Sequence, residues 1–163
     1  MKLQVEQPQS NLIVIKTSVK MDPDFTNRAN IYKSILNKQI FNNTFSIITV
    51  LPQTYSLGYE LKPYFEKQIN GKKYLFNNYV KNEGDVLLTI IQSEEFRRGL
   101  SFIVLGSEKN LEAIAFVINK ALLNWESPKF SGKEQIYYCE DDGNTICLYN
   151  STFTKELLSN LQF

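Results

Sequence analysis

The sequence predicts an α+β fold, an antiparallel or mixed β-sheet with two or three helices packed against it, in a single domain over residues 1–163. Three observations lead there. Short runs rich in Val, Ile, Phe and Tyr recur along the chain, separated by turn-forming Asn, Gly, Asp and Pro. One long segment repeats its apolar residues at helical spacing. The 163-residue length and 43% apolar content suit one core of ordinary size.

Residues 11–20 hold Leu12, Ile13, Val14, Ile15 and Val19 and read as a β-rich run that ends at Met21-Asp22-Pro23-Asp24. Thr26 or Asn27 then caps a helix with apolar positions Ile31, Tyr32, Ile35, Leu36 and Ile40, closed by Asn42-Asn43. Phe45 to Leu51 follows as a strand stopped by Pro52. The stretch from Tyr55 to Phe65 lacks a clear period and reads as a loop with a short strand or helical turn. Asn70-Gly71 is a hairpin signal before a strand over 73–80, and Asn82-Glu83-Gly84-Asp85 is a turn before Val86 to Ile91. Segment 92–99 reads as a polar hairpin connection to Leu100–Leu105, so an antiparallel meander of three successive strands is expected.

The clearest helix covers 108–125. Ser107 is a natural cap and Glu108 suits the first turn. Leu111, Ile114, Ala115, Ile118, Ala121, Leu122 and Trp125 then fall on one apolar face expected to cover the sheet, before Glu126-Ser127-Pro128 stops the helix. Ile136–Cys139 and Thr145–Tyr149 form a hairpin. Thr154 caps a final helix to Leu161, with Phe153 stapled against Leu158.

The chain has no histidine. Ser-His-Asp and Cys-His arrangements, the usual zinc sites and histidine general bases are therefore excluded together. No phosphate-binding glycine loop and no Gly-x-Ser-x-Gly elbow occurs. The expectation is that no cofactor or metal is used. A formal net charge of +1 and only three arginines argue against a nucleic-acid partner. No apolar run is long enough to cross a membrane, and the N-terminus lacks a secretory signal, so a cytoplasmic location is expected.

Cys139 and Cys147 flank Glu140-Asp141-Asp142-Gly143-Asn144. With Asp142-Gly143-Asn144 as the loop, the two thiols face each other across the ladder, close enough for a cross-strand bridge. The alternative is a pair of reduced, half-buried thiols.

Three features suggest a surface for another protein. Tyr55, Tyr59 and Tyr64 give a tyrosine-rich irregular segment, able to supply contact area at low entropic cost or to roof the sheet core. Arg97 and Arg98, the chain's adjacent arginines, suit a carboxylate or phosphate, or local ion pairs with Glu94-Glu95. Glu140, Asp141 and Asp142 form an acidic turn able to dock a basic patch or hold a hard cation, although Asp and Asn favour turns for backbone reasons alone.

The order of turn, strands, Phe102-Ile103-Val104-Leu105-Gly106-Ser107-Glu108, helix and Trp125 over residues 69–128 resembles the C-terminal half of PsbP-like domains, which include bacterial secretion chaperones. The Gly-Phe and Pro-Trp opening of that family is absent here, and the resemblance is not carried to membership.

The function expected is a non-enzymatic protein-binding module of a bacterium or its phage. An immunity protein neutralising a toxin and a secretion accessory or chaperone are the named classes. The alternatives are a structural subunit of a phage or secretion assembly, and a small enzyme using carboxylates among Glu60, Glu66, Glu94, Glu95 and Asp142.

Overall fold

Strands dominate the computed structural model, which describes residues 3–17, 34–35, 45–51, 65–69, 72–79, 94–98, 100–106, 110–140 and 143–160. In chain order they are β1 (Leu3–Gln9), β2 (Leu12–Thr17), β3 (Phe45–Leu51), β4 (Phe65–Ile69), β5 (Lys72–Tyr79), β6 (Ser101–Leu105), β7 (Gln135–Glu140) and β8 (Thr145–Tyr149). The helices are α1 (Glu94–Arg97), α2 (Leu111–Leu123) and α3 (Lys155–Ser159). Only α2, with 13 residues, exceeds two turns among the described residues. All eight strands join one sheet in the order β1-β2-β8-β7-β6-β3-β5-β4, and every neighbouring pair is antiparallel.

Both faces of the sheet are covered. Ile48, Val50, Tyr74, Phe102, Val104, Ile136, Tyr138, Cys147 and Tyr149 lie on one face, in a cluster with Leu111, Ile114, Ala115 and Ile118 of α2. Ile13, Ile15, Phe45, Ile47, Ile103, Tyr137, Cys139, Ile146 and Leu148 lie on the other, with Ile35, Phe96, Phe153 and Leu158. This explains why β6 and β8 are buried at every position rather than at alternate ones. Phe153 precedes α3 and Leu158 lies within it, so both ends of the expected staple sit in the same cluster.

Several sequence expectations are corrected. β1 was not anticipated. Leu3 and Val5 are its inward positions, and Glu6 faces Val14 while Gln9 faces Leu12, so a bulge absorbs one extra residue beside Pro8. A proline there is tolerated because β1 is an edge strand. The Lys16–Glu6 ion pair across this hairpin, at 3.0 Å, is exposed and worth about 0–1 kcal/mol.

The three-strand meander does not form. β5 and β6 are separated by β3, and residues 80–93, including the expected strand at 86–91, lie outside the described residues. β3 is buried from Phe45 to Val50, so it has apolar side chains for both faces and takes a central place with neighbours on each side. The β4–β5 hairpin has Ile69 opposite Lys72, the register an Asn70-Gly71 turn requires.

The polar connection expected at 92–99 contains the helical turn α1. Winding into a helix puts Phe96 at 0% exposure in the second cluster, a position an open polar turn would not supply. The helix expected at 108–125 runs from 111 to 123, with Asn110 rather than Ser107 as its N-cap. Of the helix expected after Thr26, only Ser34 and Ile35 are described; both are helical and Ile35 is fully buried.

The cysteine register is one residue away from the expected one. Cys139 pairs with Ile146 and Cys147 with Tyr138, because Glu140 stands opposite Thr145 and the loop spans 141–144. A shift of one residue moves a side chain to the other face. Cys139 therefore belongs to one core and Cys147 to the other, both buried and neither in a disulfide, and no cross-strand bridge can join them.

Candidate functional site at the end of helix α2

Helix α2 stops because its backbone closes on itself. Asn124 is the C-cap, the amide of Trp125 donates to the Leu122 carbonyl at 3.4 Å, and the amide of Glu126 donates to the Ala121 carbonyl at 3.0 Å. These two bonds define a Schellman ending, whose next residue takes the left-handed conformation and is usually glycine. Here that residue is Trp125, with φ of 55°. A bulky side chain held there is strained by about 1–2 kcal/mol.

The ending also corrects the expectation that Trp125 continues the apolar face of the helix. Reversal of the backbone carries it off that face, and it is 96% exposed. Phe116 and Leu123, on the outer side of α2, are about half exposed, at 53% and 51%. No residue type marks this reversal in the sequence, since the left-handed position carries Trp125 where glycine is usual.

The segment after Trp125 is tied down from several sides. Tyr149 donates its hydroxyl to the Pro128 carbonyl at 3.1 Å, and Asn11 donates its side-chain amide to the Phe130 carbonyl at 3.3 Å. The Asn150 side chain donates to the carbonyls of Gly132 and Glu134 at 2.9 and 2.7 Å. Phe130 enters the core edge-to-face against Tyr149, with ring centres 5.1 Å apart, and lies 6.4 Å from both Phe102 and Tyr138.

Between this segment, the end of α2 and the start of β6 lies a cleft of about 280 Å³. Its inner wall is apolar, made by Phe102, Ile118, Leu122 and Tyr138. Its outer wall carries Trp125, Glu126, Arg98 and Glu140. Burial raises the Tyr138 phenol far above its ordinary range, with Cys147 and Glu140 adding to the effect, so the inner wall stays neutral. Burial likewise raises the Cys139 thiol, which removes nucleophilic character from it.

Of the residues singled out from sequence, the structure brings two together. Arg98 follows α1 and is exposed, Glu140 ends β7 and is half-buried, and both line the cleft. Arg97 is half-buried within α1 and does not line it. Tyr55, Tyr59, Tyr64, Asp141 and Asp142 lie outside the described residues. Glu60 does too, and Glu66, Glu94 and Glu95 are described in backbone alone.

Among the described residues, no group of three or more His, Cys, Asp and Glu is placed to hold a metal ion. No described helix is long and apolar enough to cross a membrane. Comparison with known protein families, with curated proteins and with solved structures finds no match to this chain.

Proposed function

We propose that this chain is a non-enzymatic protein-binding module, a single α+β domain acting in the bacterial cytoplasm as a toxin-neutralising immunity protein or a secretion accessory. The observation that carries the reading is Trp125, held at 96% exposure by a strained backbone. Folding gains nothing from that arrangement, because the ring is not buried and the left-handed residue costs energy. Strain of this kind clusters where a surface is used. Tryptophan is also the residue type most enriched among energetically dominant interface positions. Leu123 and Phe116, half-exposed on the same helix, are further apolar positions, and the hydrogen bonds behind the ring hold its backbone in place, which lowers the ordering cost of binding.

The test is recovery of a stoichiometric partner with the tagged chain from its source cell, identified by mass spectrometry. The wild-type chain retains one dominant protein, and Trp125→Ala loses at least ~2 kcal/mol of binding to it. A clean monomer with no partner overturns the reading. A second reading, a structural subunit of a larger assembly, is favoured by one observation: β4 ends the sheet on one side among the described residues. Such a subunit self-associates through an unpaired strand edge, and sedimentation of the pure chain separates it from the first reading.

A further inference from the structure

We infer that the cleft beside Trp125 receives a lysine or arginine side chain of the partner, so that the surface this molecule recognises is basic. The inference rests on the binding-module reading and names the partner's chemistry. The volume, about 280 Å³, falls just below the roughly 300–1,000 Å³ of small-molecule sites and suits one extended side chain. The apolar inner wall at Phe102 and Leu122 matches the methylene stem of such a residue. The indole of Trp125 stands at the mouth, and indole is the best aromatic receptor for a cation.

Charge decides the sign of the occupant. The lining carries two carboxylates, Glu126 and Glu140, against one guanidinium, Arg98. The whole chain has a formal net charge of +1, so this acidity is local. An acidic partner would face repulsion here. A second copy of this chain docked symmetrically would bring two such mouths together, which like charge disfavours.

Trp125 is the chain's single tryptophan, so its emission reports on the cleft directly. The probes are a short peptide alternating glycine with arginine and a peptide of the same length alternating glycine with glutamate. The arginine peptide should give a saturable change in emission and the glutamate peptide none. Replacing both carboxylates, Glu126→Gln with Glu140→Gln, should weaken the arginine peptide roughly tenfold. Arg98→Gln should tighten it, an opposite sign that a general loss of fold cannot produce. Glu156→Gln, exposed on α3 across the sheet, should leave it unchanged. Because the peptides require no natural partner, this outcome is separate from that of the co-purification. Equal response to both peptides, no saturation by the arginine peptide at millimolar concentration, or an equal loss from Glu156→Gln overturns the inference. A concentration-dependent emission change without peptide, marking a second copy in the cleft, overturns it as well.

Discussion

Trp125 and Phe130 stand on the same connection between α2 and β7, yet one is 96% exposed and the other 6%. Both are large aromatics in a stretch without regular structure. Phe130 meets a ready receptor, the ring cluster of Phe102, Tyr138 and Tyr149, and its carbonyl is held by Asn11. Trp125 follows a helix ending whose own hydrogen bonds turn its side chain outward. The difference teaches that burial along this segment is set by where the backbone is pinned rather than by the apolar character of the residue. It also separates two roles within one loop. Phe130 holds the loop to the core, and the loop then holds Trp125 in water.

The largest effect that would break this contrast is at Phe130. Phe130→Ala should destabilise the fold by about 3–5 kcal/mol, since it empties a packed aromatic site, and urea denaturation measures it directly. A loss below about 1 kcal/mol would mean that Phe130 is no more structural than Trp125.

Next comes the polar pin beneath α2. Tyr74 donates its hydroxyl to the Oδ1 of Asn119 at 2.8 Å, where both residues are buried. Tyr74→Phe should cost about 1–3 kcal/mol by leaving that oxygen without its donor. Burial raises the Tyr74 phenol from 10.0 to about 12. Its protonated form is thus favoured in the folded state, so its contribution is complete below pH 10 and is lost as pH climbs from 10 towards 12. Chemical denaturation across that range should show a shallower alkaline loss in Tyr74→Phe. A slope equal to wild type would remove Tyr74 from the account.

At Trp125 the sign reverses. Trp125→Gly should stabilise the fold by up to ~1 kcal/mol, because relief of the left-handed strain exceeds the entropy glycine adds to the unfolded chain. Partner binding should fall in the same variant. Any destabilisation above about 0.5 kcal/mol would show that the ring packs in the folded state after all. The smallest expected signal concerns the cysteines. Cys147 lies in the cluster beneath Phe130 and Cys139 on the opposite face. Neither thiol should react with a maleimide until denaturant is added, and oxidation should yield no intramolecular bridge. Rapid labelling of Cys147 alone would mean that the Phe130 side opens readily.

Much of the fold was legible wherever the signal is local. The β3, β7 and β8 runs, the Asn70-Gly71 hairpin and the middle of α2 depend on side-chain spacing and turn chemistry within a few residues. β1 was missed because Leu3 and Val5 are its only buried apolar residues, and Gln, Glu and Pro fill the rest. As an edge strand it is held by pairing with β2 more than by its own apolar content. Of the cleft, Arg98 and Glu140 were singled out separately, without any sign that they meet. Trp125 was read as core because periodicity alone cannot register where a helix reverses.

By itself, then, the sequence determined the strands at β2, β3, β5, β6, β7 and β8 and the one long helical segment, and it excluded histidine chemistry, because these follow from residue type and local spacing. Tertiary structure alone decided that β3 comes between β5 and β6, that the cysteines part to opposite faces, and that exposed Trp125 lines one cleft with Arg98 and Glu140. Each of those outcomes depends on residues distant in sequence burying apolar surface together, and on a register in which one step exchanges the two faces of the sheet.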